Sequence, residues 1–224
     1  MKTDPFSIKK YSKYHPKRLS FTIQARLLEK EAQWNFEKYE LSEKLLPALP
    51  AVPDLNYSDT AVTPIQAQYL LAALAATEHL TDTVVAEVGS CRGVTTQLLA
   101  QSTQRQVIAV DPYIGYGGFE EDLLCFKANT ADLTNVIHER TVSGAAAMAW
   151  QHPPISMIFI DALHDYVNTA FDIAVWYPLL VKGAILACHD TDQQCFAGTR
   201  KAVFEFGQST QVFAHLSNLT LFTI

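Results

Sequence analysis

The chain has 224 residues, 49% of them hydrophobic, and a formal net charge of −6. That length and apolar content suit one large domain, or one domain with an appendage, built on a sizeable core. The acidic balance argues against a general nucleic-acid binder, which needs a basic face. No apolar run reaches the roughly 18 residues of a membrane span.

Residues 1–60 differ from the rest. Lys9, Lys10, Lys13, Lys17 and Arg18 cluster near Tyr11, Tyr14 and His15. Phe21 to Lys44 reads as a helix with Ile23, Leu27, Leu28 and Trp34 as its apolar positions. The proline-broken segment 46–53 cannot continue it. These residues read as a basic arm and a helical extension, either packing on the body or serving as a lid or dimer arm. Residues 61–224 form the second unit. Its first helix starts at Thr63-Pro64, with proline tolerated in the first turn, and ends near His79.

From there strands and helices alternate. Strands are expected at 84–88, 106–110, 136–142, 156–160 and 184–188. Helices are expected from about 94, around 119–130, at 144–150, 167–180 and 199–206, with two closing strands at 211–214 and 218–224. This alternation predicts an α/β fold: a Rossmann-like, doubly wound, mostly parallel sheet with an antiparallel C-terminal hairpin and the N-terminal helical extension.

The segment from Val84 to Gly93 carries the strongest signal. A buried strand holds Glu87, turns at Gly89 and reaches Gly93 just before a helix, and the next strand ends in Asp111. In an open α/β sheet this crevice binds nucleotide-like ligands, and a strand-end carboxylate can accept hydrogen bonds from both ribose hydroxyls. The spacing Glu87-x-Gly89-x-x-x-Gly93 is not the G-x-G-x-x-G that crowds backbone N–H groups around a pyrophosphate. It suits a ligand with a ribose and no phosphate, such as S-adenosylmethionine (SAM), and argues against an NAD-dependent oxidoreductase. The following loop, 112–119, has three glycines and Tyr113, Tyr116 and Phe119, which are expected to cover a ligand.

Two later strands end in ionisable groups. One runs into Asp161, His164, Asp165 and Tyr166, the other into His189, Asp190 and Asp192. In a parallel sheet both open on the edge that carries Glu87 and Asp111. Asp161, His189 and Asp190 make a workable set for a divalent cation, the imidazole shifting preference from magnesium toward manganese, iron or zinc. His164 offers an imidazole, a side chain that suits a general base. Asp172 is placed either near this site or in solvent. The remaining histidines are expected to be structural or solvated.

Four scattered cysteines (Cys91, Cys125, Cys188, Cys195) form no C-x-x-C pair, so a reducing compartment and no disulfide framework are expected. The first residues lack the apolar core of a signal peptide. The expected location is the cytoplasm, with a small-molecule substrate and neither nucleic acid nor membrane as partner. Whether the chain forms a homo-oligomer is open, because the N-terminal helix can pack on its own domain or on a second subunit.

These motifs resemble the class I SAM-dependent methyltransferases. Glu87-Val-Gly-Ser-Cys-Arg-Gly93 is similar to their first motif and Val110-Asp111-Pro-Tyr113 to their acidic ribose motif. Phe159-Ile-Asp161-Ala-Leu-His164-Asp-Tyr166, Trp176 to Gly183, His189-Asp190 and Gly198 to Val203 resemble a small-molecule branch. That branch includes macrolide-sugar O-methyltransferases and cephalosporin hydroxylase-like proteins. The resemblance covers roughly 62–206.

It implies that Gly89, Ser90 and Gly93 contact the methionine end of SAM and that Glu87 reaches its amino group. Asp111, beside Pro112, takes the ribose, and Ser143 and Gly144 lie near adenine. Asp161 borders the cofactor and, with His164, forms the catalytic pair. In metal-dependent members the positions of Asp161, His189 and Asp190 hold magnesium; here His189 replaces a carboxylate. The expected activity is methyl transfer to a small-molecule hydroxyl. Two alternatives stay open: a hydroxylase-like member of the same branch, and a non-catalytic SAM-fold scaffold.

Overall fold

A computed structural model describes residues 3–115 and 118–224. Seven strands form one sheet: β1 (Val84–Val88), β2 (Val107–Val110), β3 (Val136–Glu139), β4 (Ile155–Ile160), β5 (Leu180–His189), β6 (Gln211–Leu216) and β7 (Leu219–Thr223). Among the described residues seven α-helices accompany them: α1 (Pro16–Trp34), α2 (Pro64–Ala76), α3 (Val94–Gln101), α4 (Glu120–Asn129), α5 (Ser143–Met148), α6 (Tyr166–Trp176) and α7 (Ala197–Gly207). The strand order is β3-β2-β1-β4-β5-β7-β6. Strands β1 to β5 are parallel, and β7 runs antiparallel between β5 and β6. This is the Rossmann-like architecture expected from the alternation, closed by the expected hairpin.

Helices cover both faces, so the central strands are apolar on both sides. Along β4 the alternation is plain. Met157 and Phe159 join a core with Leu70, Leu74 and Leu98 on one face. Ile158 and Ile160 join Ile173, Trp176 and Val203 on the other.

The register sets the site. Val88 pairs with Val110 on one side and Ile160 on the other, and Ile160 pairs with Cys188. The next residues are therefore level at one edge: Gly89, Asp111, Asp161 and His189. Strand order reverses at β1, which lies between β2 and β4, and such a reversal opens a crevice beyond the strand ends.

Several boundaries differ from expectation. Helix α1 starts at Pro16, where His15 Nδ1 accepts the Lys17 N–H, and stops at Trp34, where the Asn35 side chain donates to the Glu31 carbonyl. The helical reading of 21–44 is thus five residues late at its start and ten too long at its end. Helix α2 keeps its start, with Thr63 and Gln66 in a capping box. It ends before His79 because the Thr77 hydroxyl donates back to the Ala73 and Leu74 carbonyls. Helix α6 ends at Trp176 and a 3₁₀ turn containing Pro178 follows. The basic arm is packed: Ile8 is buried, and Arg18 donates to the carbonyls of Lys9 and Tyr11. Among the described residues no helix is long and apolar enough to cross a membrane.

Candidate active site

A cavity of about 420 Å³ opens where the strand order reverses, and the strand-end residues line it. Its floor is the turn after β1. Gly89 has φ +95°, and a Cβ there would stand 2.0 Å from the Asp161 carbonyl oxygen. Glycine is required because the end of β4 passes so close, whatever binds above. Gly93 has φ +77°, and a Cβ would collide with Phe126. Cys91, between them, also takes a left-handed conformation. Ser90 lines the cavity, with its hydroxyl 3.3 Å from the Tyr113 hydroxyl.

Two carboxylates stand over this turn. Glu87 is buried and accepts a hydrogen bond from the Thr96 hydroxyl. Burial pushes its pKa up to about 8, against the opposing pull of that hydrogen bond. Asp111 Oδ2 accepts the Cys91 N–H at 3.0 Å, and Oδ1 accepts the Tyr113 N–H at 2.9 Å. Burial raises its pKa too, although the two N–H groups resist. Pro112 lines the cavity beside it.

Two of the three aromatics in the loop 112–119, Tyr113 and Phe119, do not form the cover expected. Tyr113 is buried beneath Asp111 and donates its hydroxyl proton to the Cys91 carbonyl at 2.5 Å, so it braces the turn. Phe119 is exposed and does not line the cavity. Tyr116 lies outside the described residues.

Asp161, His164 and Asp190 line the opposite side. His164 Nδ1 is 3.1 Å from Asp190 Oδ2, and Nε2 is 3.9 Å from Asp161 Oδ1. Asp190 sits at φ +57° and accepts from the Asn218 side chain at 2.6 Å. Burial raises its pKa, but His189, His164 and Asn218 outweigh that and hold it low. One donor atom from each of Asp161, His164 and Asp190 falls within 4.8 Å of the others, a spacing that fits one divalent cation.

His189 does not belong to that trio. Its ring is buried on the α2 side, with Nε2 3.3 Å from Gln66 Oε1. Nδ1 stands 3.6 Å from Asp161 and 3.5 Å from Asp190 with hydrogen-bond geometry to neither. Burial disfavours the imidazolium, yet the two carboxylates overcome it and push the pKa up to about 9. Sequence groups His189 with Asp161 and Asp190; in the structure it is His164 whose donor atom falls within 4.8 Å of both. The physical reason is strand parity: His189 follows Ala187 on one face of β5, and only after it does the chain turn toward the cavity.

The third wall contains Ser143 and Gly144 at the start of α5, and Asn168, Phe171 and Asp172 from α6. Gly144 leaves room for Phe171, whose ring would lie 2.7 Å from a Cβ. Asp172 is buried and accepts the Ser143 hydroxyl at 2.6 Å. That hydroxyl in turn accepts from the Trp176 indole at 2.9 Å. Burial pushes the Asp172 pKa up to about 7, the serine opposing. Sequence left this residue unplaced; the signal was the i, i+3, i+4 spacing of Asn168, Phe171 and Asp172 on one helical face. Asp4, Pro5 and Phe6 also line the cavity, and nothing in their local sequence points there.

Residues 86–191 match a family described as methyltransferase domain. None of the curated proteins matches the chain. Among solved structures it is similar to the O-methyltransferase NovP, at 13% identity and TM-score 0.59, covering 90% of this chain and 98% of that one. It is also similar to the O-methyltransferase from Bacillus cereus in complex with S-adenosylhomocysteine (SAH), at 16% identity and TM-score 0.57, covering 88% and 90%. The O-methyltransferase TomG from Streptomyces achromogenes, in complex with SAM, aligns at 13% identity and TM-score 0.57, covering 88% and 89%. Motif and fold agree: residues 86–191 match the methyltransferase-domain family, and the chain shares the Rossmann-like fold of these O-methyltransferases.

Proposed function

We propose that the chain transfers the methyl group of SAM to a hydroxyl oxygen of a small molecule. One observation carries this reading: Glu87 and Asp111, at the ends of adjacent strands, face the same cavity as Asp161, His164 and Asp190. A cofactor laid across the β1 turn thus presents its sulfonium toward an acid–base cluster. In this placement Glu87 receives the ammonium of SAM, and Gly89, Ser90 and Gly93 leave backbone room for its methionine end. Asp111 and Pro112 flank the ribose, Ser143 and Gly144 the adenine, and Asp161 the methyl group. Asp172 joins the adenine wall. The cavity is rich in carboxylates, and the one arginine among its described lining residues, Arg92, is already paired with Asp59 and Asp122 at 2.6 and 2.9 Å. That suits a cationic sulfonium and disfavours the diphosphate of NAD.

The acceptor oxygen attacks the methyl carbon, the carbon–sulfur electron pair passes to sulfur, and SAH leaves as a neutral thioether. The hydroxyl proton goes to His164. Asp190, 3.1 Å from Nδ1, favours a proton on that nitrogen and leaves Nε2 to accept. Because nucleophile and methyl carbon must be in line, alignment supplies much of the acceleration.

A second reading has its own observation, the close spacing of Asp161, His164 and Asp190 donors. These residues would hold a divalent cation, which supplies a Lewis acid that lowers the pKa of the acceptor hydroxyl. The N-terminal arm, with Asp4 to Phe6 at the cavity wall, serves as a lid. The test is SAH formation from SAM with panels of hydroxyl- and amine-bearing small molecules, with and without EDTA. Turnover on hydroxyl acceptors alone supports the reading. Turnover confined to amines overturns the choice of oxygen, and full activity in EDTA removes the cation.

A further inference from the structure

Helix α1 rests on α6 and α7, and one of its side chains reaches both helix starts. Glu29 Oε2 accepts the Tyr166 N–H at 3.1 Å, and Oε1 accepts the Gly198 N–H at 3.0 Å. Tyr166 is the first residue of α6, and Gly198 the second of α7. The first helical N–H groups have no partner within their own helix. Asp165 caps α6 locally but bonds the Asn168 N–H, leaving that of Tyr166 free for Glu29. Phe196, at the cap of α7, has no side chain able to accept. The missing acceptor comes from far away in the chain.

Gly198 is shaped for this contact. A Cβ there would stand 2.0 Å from Glu29 Oε2 and 2.3 Å from the Tyr166 nitrogen. The three groups converge so closely that only glycine fits.

The two helix starts matter because of what precedes them. Asp161 and His164 lie in the loop that ends at Tyr166, and Asp190 begins the loop that ends at α7. The loops touch each other where the His164 ring meets that of Phe196, with centroids 4.6 Å apart. We propose that Glu29 is a positioning residue: its one carboxylate fixes the far ends of both loops, so the N-terminal extension sets the geometry of the Asp161, His164 and Asp190 cluster. It touches neither the cavity nor the cluster. A second anchor, the Lys201 ammonium 2.8 Å from Glu31 and 3.0 Å from Glu205, holds α1 through side chains: it lies over the Tyr166 ring at 5.3 Å but is no acceptor for the backbone N–H of either helix start.

The inference rests on the methyltransferase reading only for the purpose of the cluster, so its first test uses no ligand. Backbone hydrogen exchange is followed on the full chain for wild type, Glu29→Ala, Glu29→Gln and Glu31→Ala. Glu29→Ala is expected to speed exchange at Tyr166, at Gly198 and across both loops by about tenfold, while the later turns of α6 and α7 stay slow. Glu29→Gln, which keeps one acceptor oxygen, falls between, and Glu31→Ala resembles wild type at these sites. Wild-type rates in Glu29→Ala would overturn the proposal. So would a uniform rise through both helices, or an equal rise in Glu31→Ala, since either means general loosening of α1.

In a separate arm, SAH is titrated into the same variants. Weakening of at least about threefold in Glu29→Ala and not in Glu31→Ala ties the contact to the site. Unchanged affinity removes that tie. Failure of wild type to bind SAH would sink the functional reading and leave the exchange result standing.

Discussion

The two sides of the cavity are held in different ways. On the β1–β2 side Glu87 and Asp111 are each held by nearby donors: Asp111 by the Cys91 and Tyr113 backbone N–H groups, Glu87 by the Thr96 hydroxyl of α3. On the β4–β5 side Asp161 and His164 stand 3.9 Å apart, and His189 lies at 3.5–3.6 Å from both aspartates. The first half is organised before anything binds. The second is held unevenly: Asp190 accepts from Asn218 at 2.6 Å and stands 3.1 Å from His164 Nδ1, while Asp161 stands 3.6–3.9 Å from the two histidines. A site that always receives one cofactor gains from the first arrangement. A site that must accept a hydroxyl, take its proton and release the product is served by the second.

The sharpest way to break this contrast is at Gly89. Gly89→Ala puts a methyl against the Asp161 carbonyl and forces an unfavourable φ, so it should cost about 2–4 kcal/mol and disorder both halves at once. Urea unfolding measures it; a loss under about 1 kcal/mol would mean that the turn can move away from β4.

His164→Ala acts on the looser half alone. Turnover should fall about 10²–10⁴-fold, the usual scale for a general base, with SAH affinity nearly unchanged. An equal loss of both would place His164 in cofactor binding instead.

Asp111→Asn acts on the organised half. It removes the charge that takes the ribose hydroxyls and leaves one oxygen to accept where Asp111 has two, so SAH affinity should fall roughly 10–100-fold and the melting temperature should drop as one of the Cys91 and Tyr113 N–H groups loses its acceptor. Unchanged affinity would move the ribose elsewhere.

A graded effect is expected on stability against pH. Glu87 titrates near 8 in the folded chain and near 4.5 as an unperturbed carboxyl. Its proton is therefore bound more tightly when folded. The stability this contributes is complete below about pH 4.5 and is lost as pH rises through about 8. Asp172, near 7, has the same sign. The ligand-free melting temperature should decline from pH 5 to pH 9, and Glu87→Gln should flatten part of that slope. A slope unchanged by Glu87→Gln would show that the carboxyl is hydrated in solution.

The sequence made the organised half readable because strand ends and left-handed glycines are local features. Glu87, Gly89 and Asp111 each follow from a run of apolar residues and its terminus, and register then brings them level. Asp161, His164 and Asp190 were legible in the same way. Long-range placement was not. Tyr113 looked like a cover but braces the turn from below. His189 is buried on the α2 side by strand parity, with Nε2 toward Gln66 and Nδ1 toward Asp161 and Asp190, an arrangement its local sequence does not show. Asp172 depended on helix phase, and Asp4 to Phe6 on where an arm without periodicity comes to rest. Glu29 reaches across the whole chain to Gly198, a pairing that no local pattern carries.

The most direct test of the central claim is calorimetric titration with SAH in buffers of different ionisation enthalpy at pH 7, with NADH as control. Glu87 enters protonated and must ionise to receive the ligand's ammonium, so micromolar binding should release about one proton, and NADH should give no heat. Absence of SAH binding, or equal binding of NADH, would contradict a SAM site in this cavity.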